Sequence, residues 1–377
     1  MKNNRRIPLE LYVHIPFCVR KCQYCDFLSG PADQKTQEQY TDALKEIRAA
    51  EHTEDYEIVS VFIGGGTPSA LKAEAIASIM RTLQEQFFFC EDAEVTIEAN
   101  PGTVDLEKLT IYRNVGINRL SLGLQSTDAE ELKLLGRIHS YEEFLKSYEW
   151  ARKAGFSNIN IDLMFAIPGQ TGEAWRQHLY QVAELNPEHI SAYSLIIEEG
   201  TPFSRKKLDL PDEDTEYRMY EDVAAVLKEY GYHQYEISNY AKAGCECRHN
   251  EGYWQRKDYL GLGLGAASLL GKERFSNTSD MQEYLKNSSA PEKIRKNREL
   301  LTREDEMAEF MFLGLRMTKG ISKADFQRCF GCTIESVYGE VLEKYEKQGL
   351  LLEESGRIFL SREGIHVSNA VMADFLL

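Results

Sequence analysis

Short β-like runs alternate with amphipathic stretches across residues 11–196, and this alternation limits the fold more than any other feature. Six runs rich in β-branched and aromatic residues recur, at 11–17, 58–63, 94–99, 119–124, 158–165 and 189–196. Helix-like segments lie between them, at 38–50, 73–87, 105–114, 128–135, 141–154 and 174–185. Strands separated by helices pair in parallel through crossover connections. The pattern predicts an α/β fold, either an open sheet or a partial barrel, with function at the strands' C-terminal ends.

The alternation ends near residue 201, and a different pattern follows. The sequence predicts a helix over 212–230, a strand over 232–237, an irregular aromatic stretch and a linker at 287–291. Three more helices and a hairpin come next, at 303–317, 322–329, 336–348 and 350–360. Their order predicts a winged-helix-like domain. We therefore expect three domains, 1–205, 206–290 and 291–377.

Charge and cysteine usage limit the setting in which this chain works. The 377 residues carry a formal net charge of −16, which disfavours nucleic-acid partners and favours a structural lid as the role of the winged helix. Glu10 and His14 interrupt the only apolar run near the N-terminus, and no stretch approaches the ~20 apolar residues of a membrane span. We expect a cytoplasmic protein. Three of the eight cysteines lie within eight residues, which indicates metal binding rather than disulfides.

The clustered cysteines, Cys18, Cys22 and Cys25, follow the first predicted strand with the spacing CxxxCxxC. Thiolates are the ligands of iron–sulfur clusters, and three thiolates on a cubane leave one iron open to a substrate. A zinc site with a distant fourth ligand is the alternative, but zinc sites more often pair short CxxC knuckles. The spacing resembles the signature of the radical S-adenosylmethionine (SAM) superfamily. That resemblance implies a [4Fe–4S] cluster that chelates SAM and reduces it to methionine and a 5′-deoxyadenosyl radical.

Further polar and glycine-rich positions recur at the predicted strand ends. The turn GGGTP at residues 64–68 follows the second run, and its glycines allow close backbone approach to a ligand. Glu98, Gln125 and Asp162 close or punctuate later runs, where polar residues are poor candidates for core packing. Their carboxylates and amide suit the hydroxyl and methionyl groups of SAM. Arg137 follows Gln125 and is expected to pair with a carboxylate.

Together, YVHIPFC, GGGTP, IEANP, LGLQ and NIDLMFAIPGQ resemble the oxygen-independent coproporphyrinogen III oxidase (HemN) family from about residue 11 to the C-terminus. The resemblance implies a partial (β/α)6 TIM-like barrel with a C-terminal helical, winged-helix-like domain. It also implies SAM contacts, to the cluster-bound molecule from Tyr12, Gly65 and Glu98, and to a second molecule from Tyr24, Gly66, Thr67, Gln125, Arg137 and Asp162.

Three features separate the chain from the oxidase itself. Phe27 replaces a further oxidase cysteine, and only eleven residues precede Tyr12, where the oxidase has a long arm. Both features are similar to the HemW branch, whose members are haem chaperones. Residues 249–254 match the HNxxYW motif of that branch, in which His249 is a candidate axial ligand and the aromatic residues pack on a porphyrin. From the residues alone, a buried segment whose aromatics fill the core is the favoured alternative.

The resemblance leaves two functions to weigh. The first is a haem chaperone that passes haem to acceptor proteins, respiratory ones among them, and lacks coproporphyrinogen III dehydrogenase activity. The second is the oxidase reaction, in which two propionates of coproporphyrinogen III are decarboxylated. The resemblance further implies an electron donor such as flavodoxin or ferredoxin, a homodimer and peripheral membrane association. We favour the chaperone.

Overall fold

Six parallel strands form the centre of the molecule, in a computed structural model that describes residues 6–50 and 53–376. Each strand pairs with its successor in the chain. The strands are β1 (Ile7–Ile15), β2 (Tyr56–Gly65), β3 (Phe88–Ala99), β4 (Arg119–Gln125), β5 (Ile159–Phe165) and β6 (His189–Ser194). The helices between them are α1 (Gln34–Ala43), α2 (Ala73–Gln86), α3 (Leu106–Asn114), α4 (Ala129–Leu135), α5 (Tyr141–Lys153) and α6 (Gly172–Glu184). The predicted α/β fold is confirmed.

The sheet curves into a partial barrel. Side chains from all six strands line one internal cavity, an arrangement that a flat sheet cannot produce. The outer face packs against the helices, so the strands are buried on both sides and read as near-continuous apolar runs. All seven residues of β4 are buried, for example. Of the two predicted arrangements, the strands therefore form the partial barrel and not the open sheet.

Two short groups of strands extend the barrel sheet at its edges. On one side, α7 (Glu213–Glu229) leads to β7 (His233–Glu236) and β8 (Asn239–Ala241), and β8 pairs with β6. On the other side of β1 lie β9 (Tyr259–Leu262), β10 (Ala267–Leu270), β11 (Glu273–Asn277) and β12 (Arg295–Leu300). Three short helices connect these strands, α8 (Arg248–Trp254), α9 (Met281–Asn287) and α10 (Pro291–Ile294). The sequence pattern missed β8 to β12 because the strands are short, glycine-containing or polar.

A small C-terminal domain has its own core, which begins at Met307. It contains α11 (Arg303–Gly314), β13 (Ile321–Ser322), α12 (Lys323–Phe330), α13 (Ile334–Lys347), β14 (Leu351–Glu354), β15 (Arg357–Leu360), α14 (Arg362–His366) and α15 (Ser368–Ala373). The predicted hairpin turns at Ser355 and Gly356, with φ of 54° and 73°, as a tight two-residue turn requires. Helices followed by this hairpin make the domain winged-helix-like, as predicted.

The expected boundary at residue 291 falls at the start of α10, between the paired strands β11 and β12. Strand β12 pairs with β11 and so belongs to the barrel sheet, because its backbone groups complete that edge. The domain limits stay a proposal, with the last one better placed after β12. Within the described ranges, no helix combines the length and apolar character that crossing a bilayer requires.

Candidate functional site

A cavity of about 340 Å³ opens at the C-terminal ends of the barrel strands. The cysteine loop, the glycine turn and the ends of β3 to β6 form its walls. It brings together most of the residues that the sequence singled out, namely Cys18, Cys22, Tyr24, Cys25, Gly65, Gly66, Thr67, Glu98, Gln125, Arg137 and Asp162. Tyr12 and His249 lie elsewhere, on a second cavity inside the barrel. Residues scattered over the first half of the chain thus share one site.

The cysteine loop is closed at its base by backbone hydrogen bonds. Cys18 N–H donates to the Gly30 carbonyl and Gly30 N–H to the Pro16 carbonyl, both at 3.0 Å. Further along the loop, Gln23 N–H donates to the Leu135 carbonyl at 2.9 Å, which attaches the loop to the end of α4. The three thiols are free and partly exposed. The backbone therefore holds the loop while the thiols remain available to a ligand.

The glycine turn is fastened directly to the end of β1. Gly66 N–H donates to the Ile15 carbonyl at 2.8 Å, and Thr67 N–H donates to the Phe17 carbonyl at 2.6 Å. A Cβ at Gly66 would lie 2.6 Å from the Phe17 oxygen, so no larger residue fits this approach. Gly65 adopts a φ of +110°, which L side chains rarely take. Close contact between the two motifs thus explains the glycines.

Arg137 links the cysteine loop to the glycine turn, without the carboxylate partner expected from the sequence. Its guanidinium donates to the Asn100 side-chain oxygen at 2.7 Å, to the Gly123 carbonyl at 2.5 Å and to Cys22 Sγ at 3.6 Å. Asn100 in turn donates to Thr67 Oγ1 at 2.8 Å. The guanidinium therefore joins Cys22, Asn100 and the end of β4 at the wall of the cavity.

Asn100 is a site residue that the sequence reasoning missed. It follows Glu98 by two positions, at the end of β3, and joins Arg137 to the glycine turn. Its place directly after a strand of the alternating pattern is the signal that could have identified it. The amide both accepts from the guanidinium and donates to the threonine, so it orients two groups that face the cavity.

Two buried carboxyl groups, Glu98 and Asp162, form the floor of the cavity. Glu98 accepts a hydrogen bond from Gly65 N–H at 3.0 Å. Burial, reinforced by the nearby charge of Asp162, raises the pKa of Glu98 to about 7. Burial also raises the pKa of Asp162, although Asn160 and Ser121 donate hydrogen bonds to it at 2.7 and 3.3 Å. The floor offers acceptors to hydroxyl or ammonium groups.

Gln125 occupies a strained position at the end of β4. Its φ of 74° lies in the left-handed region, which a residue with a side chain adopts at an energetic cost. The Tyr193 hydroxyl donates to its side-chain oxygen at 2.8 Å and holds the amide at the cavity wall. Backbone strain at a cavity is consistent with a binding role rather than with packing alone.

The donor set of the cavity fits an iron–sulfur cluster. Three thiols and a guanidinium share one wall. Over residues 6–50 and 53–376, no three His, Cys, Asp or Glu side chains converge tightly enough to hold a single metal ion. Thiolates are the ligands of iron–sulfur clusters, so the three thiols supply the donor set that such a cluster needs.

The opposite end of the barrel is closed by α8, the helix that carries the HNxxYW motif. Glu94 of β3 accepts from the backbone N–H groups of Arg248 and His249, each at 3.2 Å. A carboxylate at a helix N-terminus satisfies free N–H donors and complements the helix dipole. The Arg316 guanidinium lies over the Trp254 ring, with its Cζ 4.3 Å from the ring centroid. Charged groups on both sides thus fix the helix in place.

His249 is fully engaged within this closure. Its Nδ1 is hydrogen-bonded to Ser60 Oγ at 2.9 Å and its Nε2 to the Tyr253 hydroxyl at 3.0 Å, while the ring stacks on Phe62. The side chain is 1% exposed, and burial lowers its pKa to about 3. Tyr12, on the same cavity, is hydrogen-bonded to His14 Nδ1 at 2.9 Å. In this conformation both ring nitrogens of His249 are hydrogen-bonded. This matches the alternative interpretation of the HNxxYW motif, a buried segment whose side chains fill the core.

Comparisons with known proteins agree with this architecture. A model of the radical SAM superfamily matches residues 12–181, and one of the HemN C-terminal domain matches residues 301–367. Coproporphyrinogen III oxidase (HemN) from Escherichia coli, a radical SAM enzyme, superposes with a TM-score of 0.87 at 26% identity, over 98% of this chain and 90% of that one. Fold and site therefore define the class as radical SAM proteins.

Curated relatives narrow the assignment. The protein named heme chaperone HemW from Bacillus subtilis is 36% identical, over 97% of this chain and 98% of its own length. The HemW protein of Escherichia coli is also 36% identical, over 94% and 96%. A zebrafish protein, radical S-adenosyl methionine domain-containing protein 1, mitochondrial, is 31% identical over 98% and 87%. The chain belongs to the HemW family within the radical SAM superfamily.

Proposed function

We propose that the chain is a haem chaperone, which binds haem and transfers it to acceptor proteins. The observation that carries the proposal is the match, over nearly the whole of both chains, to relatives named heme chaperone HemW. Phe27 supports it, because a phenylalanine that is 62% exposed stands at the cavity mouth where the oxidase has a further cysteine. An aromatic side chain there supplies apolar surface rather than a ligand.

In this proposal Cys18, Cys22 and Cys25 hold a [4Fe–4S] cluster. SAM binds in the adjoining space through residues that line it or lie beneath it, namely Tyr12, Tyr24, Gly65, Gly66, Thr67, Glu98, Gln125, Arg137 and Asp162. The bound cluster and SAM supply one-electron chemistry. The chain itself contributes the Arg137 cation beside Cys22 and the Glu98 carboxylate beside the glycine turn.

Haem has two candidate places on the molecule. His249 is the first, and its use as an axial ligand requires one of its hydrogen bonds, to Ser60 or Tyr253, to break. The second is the rim of the upper cavity and its adjoining groove, where several exposed apolar side chains lie beside basic Arg20 and Lys21. Those apolar side chains are Val19, Phe27, Ile138 and Ile196. Apolar surface beside cations suits a planar ring with propionates.

The partners and setting follow from the same assignment. We propose respiratory proteins among the haem acceptors, flavodoxin or ferredoxin as the electron donor, and a cytoplasmic location. A homodimer and peripheral membrane association belong to the proposal as well. The net charge of −16 argues against nucleic acid as a partner.

One preparation tests the proposal. Anaerobically reconstituted protein is titrated with haem, and the same sample is assayed for protoporphyrinogen formation from coproporphyrinogen III with SAM and a reductant. We expect stoichiometric haem binding with a shifted Soret band and no oxidase turnover. Failure to bind haem at micromolar concentrations, or catalytic turnover, contradicts the chaperone proposal.

Two variants then locate the haem. His249→Gln removes the imidazole with little change in volume, whereas Phe27→Ser removes apolar surface from the rim. If His249 is the axial ligand, its variant alone changes the Soret position. If haem lies at the rim, Phe27→Ser weakens binding and His249→Gln leaves the spectrum as it is. Circular dichroism of both variants controls for misfolding.

A further inference from the structure

The interior of the barrel contains a buried arginine that the radical SAM assignment does not use. Arg119 is the first residue of β4, is 2% exposed and lines the internal cavity of about 320 Å³. The cavity lies between the upper site and α8, and it shares Glu98 and Asp162 with the upper site. A guanidinium is charged at any physiological pH, so the cavity contains a permanent cation.

No described residue pairs with this cation at close range. Its Nε has no hydrogen-bond partner, and among the described residues it makes no salt bridge. Glu94 and Asp162, two acids whose charges act on the guanidinium, are hydrogen-bonded to other groups. Glu94 accepts from the N-terminus of α8, and Asp162 accepts from Asn160 and Ser121. They attract the guanidinium at longer range only. A buried charge left in this state is unfavourable unless another group satisfies it.

The other walls of the cavity describe what such a group would be. Ser191 and Asn239 bring a hydroxyl and an amide, and the rings of Phe62 and Tyr253 bring apolar surface. The carboxyl groups of Glu98 and Asp162 stand on the side nearest the upper cavity, where a second negative charge would be repelled. The walls therefore favour a ligand that carries one negative charge on a short apolar carbon chain.

We propose that the barrel interior is a binding site for a small monocarboxylate, held by Arg119. The planar fork of the guanidinium matches the two oxygens of a carboxylate, and the aromatic rings cover a short carbon chain. The site lies beneath the space proposed for SAM, with which it shares Glu98 and Asp162, and His249 borders it. It does not depend on the chaperone function, so either can fail alone.

Thermal unfolding of the reconstituted, SAM-saturated full chain tests the site, with sodium propionate as the probe and sodium chloride of equal ionic strength as the reference. SAM occupies the upper cavity and prevents propionate from binding there. Propionate at about five times its Kd is expected to raise the unfolding midpoint by about 1–2 °C. Sodium phosphate at pH 8, where most of the phosphate is doubly charged, serves as a dianion arm and is expected to give a smaller rise than propionate. A native chain that responds equally to propionate and chloride overturns the proposal, and so does an equal response to phosphate.

Variants separate binding from structure. Arg119→Met keeps the length of the side chain and removes the charge, so the propionate response is expected to disappear. Ser238→Leu places a larger side chain on the cavity wall while leaving Arg119 intact, and it is also expected to abolish the response. Arg152→Met is the matched control. It removes another arginine, which is paired with Glu188 at 2.8 Å outside the cavity, and should lower the midpoint yet keep the propionate response.

Stability in chloride distinguishes the remaining outcomes. If Arg119 serves only the fold, Arg119→Met lowers the midpoint in chloride as Arg152→Met does, and propionate has no effect on the native chain. If it is a binding group, Arg119→Met is at least as stable as the native chain in chloride, because a buried unpaired charge has been removed. A propionate response that survives in both Arg119→Met and Ser238→Leu overturns the proposal.

Discussion

The two ends of the barrel differ in whether their polar groups face a cavity or are packed against other residues. At the upper end, three thiols, a strained glutamine and the glycine turn face a cavity, and the thiols remain available to a ligand. At the lower end, α8 packs across the barrel, and Glu94, Ser60 and Tyr253 accept or share the hydrogen bonds of its first N–H groups and of the His249 ring. The open end is made mostly from backbone turns near the strand ends. The closed end is made from side chains that meet across the barrel. In this chain, the groups that face a cavity and the groups that are packed together are thus divided between the two ends.

The largest expected effect is the loss of iron binding at the upper end of the barrel. Replacing Cys18, Cys22 and Cys25 together by serine removes the thiolates, because a serine hydroxyl does not ionise as a thiol does. Iron content after anaerobic reconstitution is expected to fall from about four atoms per chain to background, with loss of the cluster's EPR signal. Cys90→Ser is the control, since that thiol lies outside the cavity and bonds to Asp92 at 3.4 Å. Iron content unchanged in the triple variant would refute the cluster assignment.

A single methyl group added to α8 is expected to destabilise the packing at the lower end of the barrel. A Cβ at Gly252 of α8 would lie 1.8 Å from Glu10 Oε1, and the 1% exposed Glu10 has no solvent into which to move. Gly252→Ala is therefore expected to lower the free energy of unfolding by about 2–4 kcal/mol. Urea unfolding of the reconstituted chain measures it.

Gly339→Ala provides the matched control for that change. Gly339 is also a helical glycine, in α13, but nothing lies within 4 Å of an added Cβ there. Alanine is expected to stabilise this position by about 0.5–1 kcal/mol, because it restricts the unfolded chain. Equal effects of the two substitutions would show that α8 is not tightly seated.

The smallest expected effect concerns the pH dependence of the closed end. Burial raises the pKa of Glu10 to about 8 from its ordinary value of 4.5. The native carboxyl therefore keeps its proton while the unfolded one loses it, so this contribution to stability is complete below pH 4.5 and is lost as pH rises through 8. Glu10→Gln stays neutral throughout. Between pH 5 and 8.5 the native chain should lose about 1–3 kcal/mol relative to that variant.

Chemical denaturation at several pH values checks this comparison. Glu107→Gln, a change on the exposed surface of α3, controls for the general effect of removing one negative charge. Its stability curve should remain parallel to that of the native chain. If the Glu10→Gln curve is parallel as well, the carboxyl is ionised in the native state and the closed end contains a charge rather than a neutral acid.

Much of the upper end was accessible from the sequence. Its residues follow predicted strands directly, and parallel strands bring their C-terminal ends to one edge, so position along the chain predicts neighbourhood in space. The run predicted at 158–165 is the strand Ile159–Phe165, and Asp162 lies where expected. Arg137 was the exception. Among the described residues its guanidinium contacts Asn100, the Gly123 carbonyl and Cys22 rather than a carboxylate.

The lower end was not accessible in the same way. His249 and Ser60 are hydrogen-bonded although they are 189 positions apart in the chain. No local sequence pattern predicts such a pair. The short strands β8 to β12 were missed for a related reason. Strands of three to six residues have no periodicity of their own. β9 and β8 form because β1 and β6 offer unpaired edges, and β10 to β12 extend the sheet from β9.

The sequence by itself determined the alternation that makes the barrel, the winged-helix-like end and the cysteine and glycine motifs, since each depends on residues close together in the chain. Only the tertiary structure decided that α8 seals the barrel, that Arg137 lies against Cys22 from 115 positions away, and that Arg119 stands without a close partner in the interior. The physical reason is that burial and charge pairing are set by what surrounds a side chain in space, whereas strands, helices and turns are specified largely by their immediate neighbours.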